Sequence, residues 1–266
     1  MNTIVCIKQI LDPEILPEKF RLDAESKRVI PPEGILPVIN PYDVQAVELA
    51  LRLKDKHGGK ITVGTVGSAA VASMVKHALA MGADEGVILA DEVFEGSDSF
   101  AIAYILTKAI QKIGDYELVL CGRQAADWDE GLVGSIIADN LGLPLVTLAE
   151  AVDVDGGELR VKRVTLDGYQ VLAIPTPAVV TVSNEVGQPR LPSRWGIIDA
   201  ARKQVPVWSA GDIGVDPSQV GASATRRKLV KLFIPARQRK SEIIQGKDTA
   251  EASVKLATRL REAKVI

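Results

Sequence analysis

The residues best suited to chemistry lie between Leu118 and Pro144, where the chain reads LVLCGRQAADWDEGLVGSIIADNLGLP. A short apolar run breaks into glycine, charge and amide, and apolar residues then return at helical spacing as far as Gly142. This is the pattern of a strand, a polar loop and a helix start. Gly122, Gly131 and Gly134 permit close approach of the backbone. The helix start from Leu132 and Val133 to Ser135 offers unpaired N–H groups and the positive end of a dipole, which suit phosphate. Arg123 and Gln124, followed by Ala125, could donate to an anion or to the edge of an adenine ring. The stretch is neither G-x-G-x-x-G nor G-x-x-x-x-G-K-[ST]. On these residues alone two readings stand: a nucleotide-binding loop, or an ordinary strand-to-helix connection with turn glycines and with Asp127 and Asp129 as solvated charges.

Other constellations are scarce. His57 falls at a helix end and His77 inside an amphipathic helix, neither with a partner at metal-ligand spacing, and no serine sits in a nucleophile elbow. Cys6 and Cys121 are too far apart for a C-x-x-C motif and lie in apolar runs, so they read as reduced packing residues. Asp127 and Asp129 are the only acidic pair with a place near the loop, which leaves hydrolysis or adenylyl transfer poorly supported. Trp128, Trp195 and Trp208 fall in expected loops, where tryptophan anchors a local cluster or a protein interface.

The elements that must position the loop follow from periodicity. Thr3 to Ile7 reads as a buried strand, and RLDAESKRVI as a hairpin. Asn40-Pro41 marks a helix start, with Asn as N-cap and Pro at N1, and an apolar stripe runs from Val44 to Leu53 before His57-Gly58-Gly59. KITVGTV, EGVILAD, YELVLCG and LVTLAEA read as strands. SAAVASMVKHALAMGA and DSFAIAYILTKAIQKIG read as helices closed by Gly82 and Gly114. Short apolar strands alternating with helices specify an α/β doubly wound parallel sheet covered on both faces. From Ala151 to Ser183 the turn signals Asp155-Gly156-Gly157 and Asp167-Gly168 predict an antiparallel meander on the sheet edge, with PAVVTV included in it. WGIIDAARK predicts one short helix and Arg226 to Ile234 one more extended piece. A helix from Thr249 to Lys264 closes the chain behind the polar connection PARQRKSEIIQGKD. Residues 1–215 are expected to form the α/β domain, and 216–266 an extended arm that adds little to a monomer core.

If the first strand lies beside the fourth, the loops after Ile7 and Cys121 line one crevice at the carboxyl rim, which is where open α/β sheets bind ligands. The bulk numbers fit a well-buried core, since 47% of the 266 residues are apolar. With 32 basic against 34 acidic residues the net charge is −2, so no global field draws nucleic acid or an anionic membrane. No apolar run approaches the roughly 20 residues of a membrane span, and the N-terminus lacks the layout of a signal peptide. A cytoplasmic location is expected.

The blocks NPYDVQAVELALRLKDK, ALAMGADEGV, LVLCGRQAADWDEGLVG, LPLVT, PAVVTV, QPRLPS and AGDIGVD resemble, in this order and over nearly the whole chain, the beta subunit of electron transfer flavoproteins. The resemblance implies an adenine-nucleotide alpha hydrolase-like fold. It also implies pairing with an alpha subunit in a heterodimer that passes electrons between dehydrogenases, of acyl-CoA type, and a quinone-linked, ferredoxin or other acceptor. The beta chain of that family holds a nucleotide itself, AMP in the respiratory type and a second FAD in the bifurcating type of anaerobes. Carried over by position, its site includes Cys6, the turn Asn40-Pro41-Tyr42-Asp43, Val66, and the loop from Gly122 through Ser135.

Two departures bear on this. The respiratory type has a Thr-Gly pair after an amide as side-chain phosphate ligands, whereas Leu132-Val133-Gly134 leaves backbone N–H groups and Ser135. The segment VWSAGDIGVD, the DGYQV turn and LREAKVI look more like the anaerobic branch, and FAD is expected over AMP. The leucine that anchors dehydrogenases in the respiratory type falls at Arg194, and Leu191 or Trp195 could fill an equivalent pocket. The competing reading is a stand-alone nucleotide-binding regulatory protein of stress-response type with the same fold, because one fold hosts many functions.

Overall fold

The computed structural model describes residues 1–235 and 241–266. Its centre is a nine-stranded sheet of β1 (Thr3–Cys6), β2 (Ile61–Val66), β3 (Glu85–Leu89), β4 (Leu118–Gly122), β5 (Leu145–Asp155), β6 (Glu158–Thr165), β7 (Gly168–Ile174), β8 (Ala178–Val182) and β9 (Val207–Trp208). The order across it is β7-β6-β5-β8-β4-β1-β2-β3-β9. Pairing is parallel from β5 through to β9, and antiparallel where β6 joins β5 and β7.

The helices that return the chain are α1 (Pro41–His57), α2 (Ala72–Met81), α3 (Ser99–Ile113) and α4 (Val133–Leu141), followed by α5 (Arg194–Arg202), the short α6 (Ala210–Ile213) and α7 (Thr249–Glu262). Two apolar layers result, one on each face of the sheet. Val5, Val63, Leu118, Leu120 and Val180 pack under α1 and α2. Ile4, Val87, Val119 and Val179 pack under α3 and α4. Strand residues alternate between the layers, as the two-residue period requires. Both layers are fully buried, which is why β1, β4 and β8 read as continuous apolar runs.

Start and stop signals act where the sequence puts them. The Asp98 carboxylate accepts from Phe100 N and Ala101 N at the start of α3, and the α3 C-terminus closes at Gly114 with φ 57°. Helix α1 begins at Pro41 and ends before Gly58. The RLDAESKRVI hairpin forms, with Arg21 opposite Ile30 and Asp23 opposite Arg28.

Several expectations are corrected. Ala178–Val182 is no part of the edge meander: it lies between β4 and β5, parallel to both and entirely buried. The meander consists of β5, β6 and β7 alone. Five consecutive buried residues without alternation were the signal of an interior parallel strand. Arg226 to Ile234 forms no strand; its polar contacts are to Asp98, Glu130 and Lys27 rather than to a sheet edge. Helix α2 starts at Ala72 after a tight turn over Ala69–Val71, not at Ser68. The last helix stops at Glu262. Trp195 lies in the first turn of α5 and Trp208 in β9, not in loops. Of the polar connection before α7, residues 236–240 lie outside the described residues.

Candidate functional site

Strand order reverses between β1 and β4: the chain moves from β1 through β2 to β3 on one side and resumes with β4 on the other. Cys6 pairs in register with Cys121 across this boundary, so the segments leaving β1 and β4 diverge and leave a crevice. A cavity of about 680 Å³ fills it, within the roughly 300–1,000 Å³ range of small-molecule sites.

Two side chains from the start of α1 build the floor. Asp43 is buried, and its carboxylate accepts from Lys8 N at 2.7 Å and Gly122 N at 3.0 Å, tying together the two strands' exits. Burial pushes this carboxyl up to about 7, against the opposing pull of the Lys8 amide, the Asn40 side chain, the Gly122 amide and the Lys8 charge. Asn40 occupies the N-cap position of α1, yet its side chain makes no capping bond. It donates instead to Gln124 O at 2.8 Å and accepts from Ala126 N at 3.1 Å, clamping the loop after β4. Gly122 must lack a side chain, because a Cβ there would lie 2.3 Å from Asp43 Oδ1 and 2.9 Å from the Tyr42 carbonyl carbon.

The acidic side chains of the loop are all paired, two of the three by residues of other elements. Lys8 Nζ pairs with Asp127 at 2.7 Å, Gln124 Nε2 donates to Asp129 at 2.7 Å, and Glu130 accepts from Ser99 and pairs with Arg227. Arg123 donates to Gln124 Oε1 at 3.1 Å, with its guanidinium 5.2 Å from the centre of the Tyr42 ring. The loop carboxylates are thus engaged, while Leu132, the N-cap residue of α4, makes no side-chain cap. Leu132, Val133 and Gly134 of this helix start line the crevice, and a helix N-terminus is suited to receive an anion. Gly134 brings this helix start close to the sheet, since a Cβ there would lie 2.6 Å from Thr181 Cγ2.

Of the residues singled out in the sequence, Cys6, Asn40, Asp43, Val66, Gly122, Arg123, Gln124, Ala125, Gly131, Leu132, Val133 and Gly134 line this one cavity. Pro41, Tyr42, Asp127, Asp129 and Ser135 stand outside its lining: Tyr42 lies behind Gly122 and beneath Arg123, and the two aspartates brace the loop. Leu191, Arg194 and Trp195 are not part of the cavity. They sit around the start of α5, where Leu191 is 84% and Trp195 75% exposed. Cys6 and Cys121 are free, buried thiols, and the Cys6 contact and burial push the Cys121 thiol up, which disfavours a reactive thiolate.

Sequence reasoning missed a second wall. Gly96 to Ser99, Ile102 and Leu106 come from the exit of β3 and from α3, and Thr225 with Arg227 to Val230 come from the arm. The first group was open to discovery, since β3 ends at the same rim. The arm residues were not, because they meet Asp98, Glu130 and Lys27 across about a hundred residues or more of chain, with no local pattern to announce it. Among the described residues no group of three or more His, Cys, Asp and Glu could hold a metal ion, and no helix is long and apolar enough to cross a membrane.

The fold and crevice are those of the doubly wound α/β class, in which ligands sit outside the carboxyl ends of the strands at the switch point. Comparison with known proteins narrows this. Residues 33–213 match the electron transfer flavoprotein domain. The chain is 39% identical to the electron transfer flavoprotein subunit beta of Thermoanaerobacterium thermosaccharolyticum over the full length of both. It is 34% identical to the caffeyl-CoA reductase-Etf complex subunit CarD of Acetobacterium woodii, again over all of both chains. With the protein FixA of Azorhizobium caulinodans it shares 35% identity over 97% of this chain and 93% of that one. The chain belongs to the electron transfer flavoprotein family, as a beta subunit, and its role is in electron transfer.

Proposed function

We propose that this chain pairs with an alpha subunit and binds an adenine nucleotide of its own in the β1/β4 crevice, FAD in preference to AMP. The heterodimer carries electrons between an acyl-CoA type dehydrogenase and a quinone-linked, ferredoxin or other acceptor. One observation carries the reading: an amide-lined crevice of about 680 Å³ at the switch point, with the uncapped start of α4 at its rim. Leu132, Val133 and Gly134, which line the cavity, would hold the phosphates through backbone N–H groups at the start of α4. Arg123 and Gln124 would supply further donors, and Asn40 and Asp43 keep the loop open by holding its backbone. A flavin bound there supplies one- and two-electron transfer chemistry. No side chain of this chain has to act as acid or base. What the protein does is bind, orient and exclude water, for which the apolar wall of Val66, Ile102, Leu106 and Leu132 is suited.

One further point supports FAD. The cavity continues past the proposed phosphate end to the arm at Lys228, Leu229 and Val230, so there is room for more than a mononucleotide. Leu191, Arg194 and Trp195, exposed on one flank, are the proposed dehydrogenase-docking residues. Residues 216–266 are the proposed arm, entering along the cavity and ending in α7, which packs on the alpha subunit. The test is to purify the chain with its alpha subunit, release bound nucleotides by denaturation and count them. Two flavins per heterodimer are expected. One flavin with one AMP selects the alternative nucleotide, and a heterodimer without nucleotide from this chain refutes the assignment.

A further inference from the structure

Helix α1 serves two places at once. Its first turn, with Asn40 and Asp43, holds the crevice, and two turns further on Glu48 holds the stretch of chain that leads into α5. Glu48 is buried at 4% exposure. Its carboxylate accepts from Arg52 Nε at 2.8 Å, Arg190 Nε at 2.9 Å and the Arg190 backbone N at 3.0 Å. Arg52 also donates to Val186 O at 2.8 Å, and Arg190 reaches Asp55 at 2.9 Å.

Helix α5 and the stretch that leads into it are held by different means. The helix is fixed at its start by a backbone approach so close that a Cβ on Gly196 would lie 2.3 Å from Ala80 O. At its end Lys76 Nζ donates to Ala200 O at 2.7 Å. Trp195 is therefore carried by a docked helix. Leu191 is not: among the described residues the one backbone amide bond made from Gln188 through Pro192 is that of Arg190 N to Glu48.

We propose that Glu48, acting through Arg190, is the positioning residue that fixes Leu191 relative to Trp195 and so sets the geometry in which the dehydrogenase docks. The inference rests on the reading of Leu191, Arg194 and Trp195 as docking residues. A carboxylate with four charge-assisted donors from Arg52 and Arg190, one of them the backbone beside Leu191, replaces the ladder that a strand or helix would supply. The same helix carries Asn40 and Asp43, so the docked partner is registered against the crevice through one rigid element.

The test uses the heterodimer, with a purified acyl-CoA dehydrogenase reduced by its acyl-CoA as electron donor. Glu48→Gln keeps the size and one acceptor but turns an N–H2 toward donors. It is expected to speed amide exchange at Arg190 about tenfold. It should raise the KM for the dehydrogenase several-fold, leaving the limiting rate and the nucleotide content as in the parent. A merely structural role would instead lower the thermal midpoint and nucleotide content together and leave KM unchanged. Should Glu48→Gln fail to fold, Arg190→Ala opens the same contact from its more exposed side, and Arg190→Lys, which retains the charge, should fall between the two. A parent heterodimer that is reduced normally, with variants of unchanged exchange and KM, overturns the positioning role. A parent heterodimer that is not reduced by the dehydrogenase overturns the docking reading beneath it.

Discussion

At the scale of single residues, Asp43 is the decisive group. Its carboxyl has an ordinary value of 3.8 and is pushed to about 7 by burial. The folded protein therefore holds this proton more tightly than the unfolded chain. The corresponding stability is fully present below the ordinary value and is lost as pH rises through about 7. Denaturant titrations at a series of pH values should show unfolding free energy falling by up to about 1.4 kcal/mol per pH unit across that window, over and above other groups. Asp43→Asn should remove that slope. It should also cost about 1–3 kcal/mol at acid pH, since its amide turns a donor toward Lys8 N or Gly122 N. A slope unchanged in the variant would mean that Asp43 does not titrate there. Gly122 makes a steric counterpart. Gly122→Ala forces a methyl against Asp43 and the Tyr42 backbone, and should destabilise by about 1–3 kcal/mol and release nucleotide. Calorimetry and nucleotide content check both.

At the scale of elements, the arm is the part whose behaviour follows from its contacts. Arg227 pairs with Glu130, Arg226 N donates to Asp98 at 2.7 Å and Lys27 Nζ to Leu229 O at 2.9 Å. These contacts strap Thr225 to Val230 along one side of the cavity. Both partners of the Arg227 pair are partly solvated, at 50% and 21% side-chain exposure, so the pair is worth about 0.2–1 kcal/mol. Arg227→Ala should thus speed nucleotide release by at most about fivefold and leave the core intact. Stopped-flow release of bound nucleotide reads this directly, and a rate equal to the parent's would show that the strap does not govern exit.

The same element shows where sequence reading stops. Strands β1 to β4 and helices α1 to α3 were legible, because each is announced by its own period and by caps such as Asn40-Pro41 and Gly114. The crevice was legible on one assumption, that the first strand lies beside the fourth, and the sheet has that order. The strand Ala178–Val182 was misplaced because it follows the meander directly in the chain, although its unalternating apolar run set it apart. Its register places it in the sheet interior, beside Leu118 to Gly122. The arm's place on the cavity has no local cause at all. It depends on ion-paired and hydrogen-bonded contacts to residues that distant elements hold in place.

At the scale of the whole molecule, the chain divides by burial into a body and an unpartnered end. The body is covered on both faces of its central strands, and even Val220, near the start of the arm, is buried against it. Helix α7 has 14 residues and none of them is buried. Among the described residues its ion pairs are local: Lys255 with Glu251, and Arg259 with Glu242 and Glu262. A helix of that length is marginal in water on its own, while Val254, Leu256, Val265 and Ile266 stand exposed. Its stability therefore has to come from a surface outside this chain, which under the proposed function is the alpha subunit. Deleting Thr249 to Ile266 should change the unfolding free energy of the isolated body by no more than about 0.5 kcal/mol. It should weaken association with the alpha subunit by at least about tenfold, since the deletion removes apolar anchors at an interface. Sedimentation of the mixed subunits measures the second quantity and denaturant unfolding the first. If association survives the deletion unchanged, α7 is not the alpha-subunit contact. If the body itself loses stability, α7 packs on its own chain in solution.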